Sequence, residues 1–126
     1  MKYRVHYKDN TLFTWLDLRR KEYSASFKFI IDTGSQCTAI SENTAYDLGF
    51  DVSMIKKTDT IITANSEIKR VGKVILPLFE VFGRKEKQFG VYVATLPDFS
   101  GLIGNDFLEK FKRFRIYYDT QEIEVA

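Results

Sequence analysis

The sequence predicts a mainly β protein with two short helices, and three observations predict it. Apolar residues fall in short runs rich in Phe, Tyr, Val and Ile, the composition of strands. Turn-forming pairs and charged clusters separate these runs, among them Asp9-Asn10, residues 19–22, residues 83–87 and Asp119-Thr120. Only two segments, 41–48 and 105–111, place a capping residue ahead of a helical pattern. With 126 residues, 44% hydrophobic and 15% aromatic, the chain suits one domain with a packed core, residues 1–126.

Taken in order, Tyr3 to Tyr7 reads as a first strand, because Tyr3, Val5 and Tyr7 alternate with Arg4 and His6. Leu12 to Leu18 and Ser24 to Ile31 form a hairpin whose charged tip, Arg19-Arg20-Lys21-Glu22, reads as solvated. Gln36 to Ile40 returns as a strand. Ser41 then caps a helix to about Leu48, and Gly49 is placed to end it. Thr58 to Thr63 and Ile68 to Leu76 are two strands around a turn at 64–67. Val74 to Phe82 contains Pro77, which marks an edge or a bulge. A charged turn at 83–87 leads to a strand from Gln88 to Ala94. Asn105 is an N-cap candidate for a helix from Asp106 to about Phe111, and Phe114 to Tyr118 with Ile123 to Val125 make a last hairpin.

One stretch carries chemistry. The apolar strand Phe27-Lys28-Phe29-Ile30-Ile31 runs straight into Asp32-Thr33-Gly34-Ser35. Asp32 leaves the strand at the edge of an apolar core, where burial raises a carboxyl pKa and hydrogen bonds to its ionised form lower it. Gly34 is read as supplying a backbone turn that other residues resist. Far downstream, Leu102-Ile103-Gly104 precedes a short helix. In that order the two motifs resemble the retropepsin-like aspartic proteases, over about residues 12 to 125.

The resemblance implies a closed β-barrel with one short helix after the active-site strand and one near the C-terminus. It implies that Asp32 is catalytic, that Thr33, Gly34 and Ser35 support its loop, and that the strand Leu102, Ile103, Gly104 braces that loop from behind. A flap that folds over bound peptide would have Thr63, Ala64, Asn65 and Ser66 at its tip, with Ser66 where Gly is frequent. The same hairpin also fits an ordinary surface element. The Ser35 hydroxyl is expected to donate to the outer oxygen of Asp32.

Carboxylate hydrolysis of a peptide needs two acids sharing one proton. The chain has one Asp-Thr-Gly, and Asp98, Asp106 and Asp119 lack its context. The second Asp32 is therefore expected from another copy in a twofold homodimer. Ile123 and Val125 fit either its interface or the subunit's own core. The expected substrate is a peptide or protein. A catalytically silent dimerisation or peptide-binding module on the same fold is the alternative.

Scarce residues exclude other chemistries. Cys37 is the only cysteine, so an internal disulfide and a Cys-based zinc site cannot form within one chain, and Cys37 itself reads as a small buried residue. His6 is the only histidine and sits among charges, a poor start for a Ser-His-Asp triad. No phosphate-cradling loop or dinucleotide fingerprint is present. No cofactor or metal is expected. A formal net charge of +2 implies neither nucleic acid nor a membrane surface as partner. Lys110, Lys112, Arg113 and Arg115, interleaved with Phe111 and Phe114, read as a helix end and a charge-guarded strand. The N-terminus lacks the apolar segment of a secretory signal, which makes a cytoplasmic location the default.

Overall fold

The alternation at residues 3–7 produces two strands rather than one. In the computed structural model, which describes residues 1–62 and 66–126, β1 (Lys2–Arg4) and β2 (His6–Lys8) part at the buried Val5 and join different sheets. Val5 N–H donates to the Gln121 carbonyl at 2.9 Å, so the break is hydrogen-bonded to the far end of the chain. Asp9 and Asn10, with φ of 52° and 60°, form the tight turn into β3 (Thr11–Arg20). Two successive positive φ values match the twist of a two-residue hairpin.

β3 pairs antiparallel with β4 (Tyr23–Ile31) through Phe13↔Ile30, Leu16↔Phe27 and Arg20↔Tyr23. Leu12, Leu16 and Leu18 on β3 and Phe27, Phe29 and Ile31 on β4 are buried. The tip of this hairpin is shorter than the charge cluster suggests, because Arg19 and Arg20 still belong to the strand. Arg20 is not simply solvated. Its guanidinium lies 3.9 Å from the centre of the Phe50 ring and donates to the Leu48 carbonyl at 3.2 Å. It therefore ties the hairpin to the end of α1 (Glu42–Asp47), where a cation is also favoured by the helix dipole. At the other end of α1, the Ser41 hydroxyl accepts from Thr44 N–H at 3.1 Å, as its sequence position predicts. Gly49 follows with φ of 80°, a left-handed residue against the Tyr23 ring.

The strand expected over 36–40 is reduced to β5 (Ala39–Ser41), since residues 36–38 are bound to other parts of the chain. A single 3₁₀ turn, Val52–Met54, leads to β6 (Asp59–Ile62) and the long β7 (Ile68–Val81). β8 (Arg84–Ala94) pairs with β7 and begins four residues earlier than expected. Phe82 and Gly83, with φ of 52° and 77°, make the whole turn. The charged residues after them are strand: Arg84 and Lys110 both reach Glu86, at 3.1 and 3.6 Å. Pro77 causes no bulge, because Leu76↔Phe89 and Leu78↔Lys87 keep one register on both sides of it. It does lie on an edge stretch, since β6 pairs with β7 only as far as Val71.

β9 (Gly101–Ile103), α2 (Asn105–Leu108), β10 (Phe114–Tyr117) and β11 (Glu122–Val125) complete the chain. Eight strands form one sheet in the order β2-β3-β4-β9-β5-β8-β7-β6, and it curls so that β3 packs against β7 as a half-barrel. The remaining strands form a small sheet, β1-β11-β10. Ile123 and Val125 are buried beneath it within the same subunit, where their side chains belong to the subunit's own core. Phe111 and Phe114 are partly buried and also pack against the core.

The core centres on Phe79. Its ring lies 5.1 Å from Phe89 and from Phe107 and 5.9 Å from Phe29, centre to centre. Four elements, β4, β7, β8 and α2, thus meet in one aromatic cluster, and each such pair adds about 0.5–1.5 kcal/mol beyond area burial. Among the described residues no helix is long and apolar enough to cross a membrane. Among them, too, no group of His, Cys, Asp and Glu is arranged to hold a metal ion.

Candidate active site

The position of β9 explains the Asp32 loop. β9 lies between β4 and β5, the two strands that flank the loop. It runs parallel to β4 through Ile30↔Leu102 and Ile31↔Ile103, and antiparallel to β5 through Ala39↔Leu102. Residues 32–38 therefore cross over the end of β9, and the end of β9 and the start of α2 fasten them there. Asp32 N–H donates to the Ile103 carbonyl at 3.0 Å, Asn105 N–H to the Ser35 carbonyl at 2.8 Å and Asp106 N–H to the Gln36 carbonyl at 3.0 Å. The first amides of α2, which have no partner within the helix, thus bind the loop instead.

Side chains complete the brace. Thr38 is fully buried, and its hydroxyl donates to Asp106 Oδ1 at 2.7 Å while accepting Gly104 N–H at 3.1 Å. Thr38 N–H also faces the Asp106 carboxylate, 3.0 Å from each oxygen. Asn105 does not cap α2 as its position suggests. The N-cap residue is Gly104, and the Asn105 side-chain amide donates to the Thr33 carbonyl at 2.8 Å. Replacing Thr38 by Val keeps the shape but leaves the buried Gly104 N–H without a partner. Thr38→Val is expected to cost about 2–3 kcal/mol, read as a lower urea midpoint with unchanged slope.

Asp32 is half-buried at the mouth of this construction, with Thr33 and Gly34 exposed beside it. Its Oδ1 accepts Gly34 N–H at 3.0 Å, and Ser35 N–H donates to its carbonyl at 3.2 Å. Gly34 does not adopt a left-handed φ, contrary to the reading of the motif. What its missing side chain provides is room: a Cβ there would lie 3.3 Å from Asp32 Oδ1. Ser35 also departs from expectation. Its hydroxyl donates to the Cys37 carbonyl at 2.9 Å, not to Asp32, and so steadies the turn rather than the acid.

Leu102 is half-buried, and Ile103 and Gly104 are buried, directly behind the loop. Thr63, Ala64 and Asn65 lie outside the described residues. Ser66 has φ of 62°, a conformation that suits the Gly frequent at this place. Below it, Ile62 and Ile68 are cross-strand partners with large exposed side chains.

Two features were not legible as site elements. One is the pair Thr38 and Asp106, which becomes a pair only because β9 is inserted; no spacing in the sequence signals it. The other is a recess on the same face of β4 as Asp32, since Lys28, Ile30 and Asp32 alternate with the buried Phe29 and Ile31. Phe13, Lys28, Ile30, Pro97, Asp98 and Phe99 contribute to its wall, and the Lys28 ammonium lies 4.3 Å from the centre of the Phe13 ring.

Cys37 is half-buried rather than buried. Burial pushes its thiol above the ordinary value, the Asp106 carboxylate pushes the same way, and Lys73 opposes them. The Tyr92 hydroxyl is also raised, by burial first and then by Asp59, Cys37 and Asp106. Only the thiolate is nucleophilic, so Cys37 is expected to react with iodoacetamide more slowly than free cysteine at neutral pH. Lys73→Ala should slow it further; faster labelling of that variant would contradict the assigned charge balance.

Known proteins resemble this chain in sequence and in overall fold. Residues 23–110 match the family described as gag-polyprotein putative aspartyl protease. An uncharacterized protein of Rickettsia prowazekii (strain Madrid E) is 34% identical over 96 residues, which is 76% of this chain and 41% of that protein. The chain thus spans about two fifths of the length of this curated relative. Among solved structures, a retropepsin-like aspartic protease from Rickettsia conorii superposes with a TM-score of 0.74 at 23% identity, covering 99% of this chain and 90% of its own. A retroviral protease-like domain from Leishmania major gives a TM-score of 0.59 at 15% identity, over 90% of this chain and 88% of its own. The match over residues 23–110 and the superposition over nearly the whole chain lead to one conclusion: this chain belongs to the gag-polyprotein putative aspartyl protease family and has a retropepsin-like fold.

Proposed function

We propose that residues 1–126 form one half of an aspartic endopeptidase, completed by a second copy of the chain. The observation that carries this reading is Asp32, half-buried on a loop that β9 and α2 brace from behind. Two such loops face each other across a twofold axis. Their carboxylates, about 3 Å apart, cannot both ionise and share one proton. The ionised Asp32 takes a proton from water as the water attacks the scissile carbonyl. The protonated Asp32 donates to the developing oxyanion, and a proton then passes to the leaving amine. Thr33 and Gly34, exposed at the tip, are the residues through which the two loops meet. The recess beside Ile30 receives a substrate side chain, and the hairpin of β6 and β7 closes over the peptide.

Incubation with a peptide library, with and without a pepstatin-like inhibitor, tests the activity. Inhibitor-sensitive cleavage supports it; binding without cleavage favours a silent peptide-binding module. A mixing experiment tests the pairing. Wild type mixed with an equal amount of Asp32→Asn, after subunit exchange, should retain about one quarter of the activity of the same total amount of wild type. Retention of one half would mean that each chain works alone.

A further inference from the structure

We propose that Asn105 is a positioning residue that holds the peptide unit between Thr33 and Gly34 against the Asp32 carboxylate. The proposal deepens the reading above and rests on Asp32 being the catalytic acid. Asn105 grips both carbonyls that flank Gly34. Its side-chain nitrogen donates to Thr33 at 2.8 Å, and its backbone N–H donates to Ser35 at 2.8 Å. A carbonyl oxygen only accepts, so the –NH₂ end of the Asn105 amide must face Thr33.

The Thr33 carbonyl and the Gly34 N–H are the two ends of one rigid peptide plane. That N–H donates to Asp32 Oδ1 at 3.0 Å. The three groups form a chain: Asn105 amide, the Thr33–Gly34 peptide, Asp32 carboxylate. A donor on the carbonyl oxygen polarises the peptide and strengthens its N–H as a donor. It also fixes the tilt of the plane, and with it the direction in which the N–H points. Asn105 is free for this task because Gly104 occupies the N-cap of α2 and no side-chain cap bond is made. The neighbouring Asp106 carboxylate cannot substitute, being an acceptor committed to Thr38.

The test uses the full chain with Asn105→Leu, Asn105→Asp and Asn105→Gln, read by the Gly34 amide resonance and by steady-state kinetics. Leu removes the donor, Asp places an acceptor opposite the carbonyl, and Gln restores a donor on a longer arm. The expected result is an upfield Gly34 amide proton in the Leu and Asp variants, recovered at least in part by Gln. The rate constant kcat falls by about tenfold in the Leu variant, the rate equivalent of one ordinary hydrogen bond, while KM stays within about twofold. A Gly34 resonance unmoved in both the Leu and Asp variants overturns the proposal. Should wild type cleave no peptide, the protease reading is what fails, and the Gly34 resonance alone still decides the role of Asn105.

Discussion

Asp32→Asn is expected to abolish the proposed peptide cleavage and to leave the protein folded. The side chain is half-buried and its Oδ1 accepts Gly34 N–H, a bond that an amide oxygen makes equally well. The exchange removes a charge from a site with no ion pair among the described residues, so stability is expected to change by less than about 1 kcal/mol. Chemistry does not survive. An amide neither takes a proton from water nor donates one as a carboxylic acid does. In a homodimer both acids are lost together, so kcat/KM is expected to fall by about 10⁴-fold or more. A fluorogenic peptide assay with purified mutant protein measures this, and retained hydrolysis would remove Asp32 from its assigned role. The thermal midpoint, measured beside it, separates lost chemistry from lost structure.

Gly104→Ala is expected to have the largest effect on stability of any single methyl added to this site. A Cβ at Gly104 would lie 2.5 Å from the carbonyl carbon and oxygen of Cys37 and 2.9 Å from its nitrogen. These are backbone atoms, and no side-chain rotation relieves the clash. The φ of Gly104 is −97°, so conformation is not the obstacle; space is. Relief requires the Cys37 segment or β9 to move. Either movement breaks the Gly104–Thr38 bond and displaces the amides of Asn105 and Asp106 from the loop. The expected cost is about 4 kcal/mol or more, at the upper end of single substitutions. Chemical denaturation of Gly104→Ala measures it. A loss below about 1 kcal/mol would show that the loop is not held tightly against β9.

Much of the architecture was legible because apolar runs and turn chemistry act locally. The cap at Ser41, the stop at Gly49 and the strand leading into Asp32 all follow from near neighbours. The errors fall where distant partners decide. One alternation at 3–7 supplied two strands because Val5 binds the turn before β11. The charged stretch at 84–87 is strand because Phe82 and Gly83 already complete the turn. At the site, Asp32 and the Leu102-Ile103-Gly104 brace could be named from the sequence, but not how they join. Asn105 has the composition of a helix cap and acts on the loop instead. Ser35 has a hydroxyl beside the acid, yet the nearer use for it is the Cys37 carbonyl. A side chain with two possible partners is assigned by the path of the backbone, which local pattern does not carry.

The insertion of β9 between β4 and β5 also sets the order in which the molecule can mature. The acid-bearing hairpin is complete by residue 31, whereas the strand that fastens its loop begins at residue 101. Pairings this remote carry a large loop-closure entropy and form late in folding. A chain emerging from the ribosome therefore presents an untethered Asp32 until β9 and the start of α2 have been made. On the proposed reading of Asp32, the acid is therefore set in its working position only once that late strand has paired.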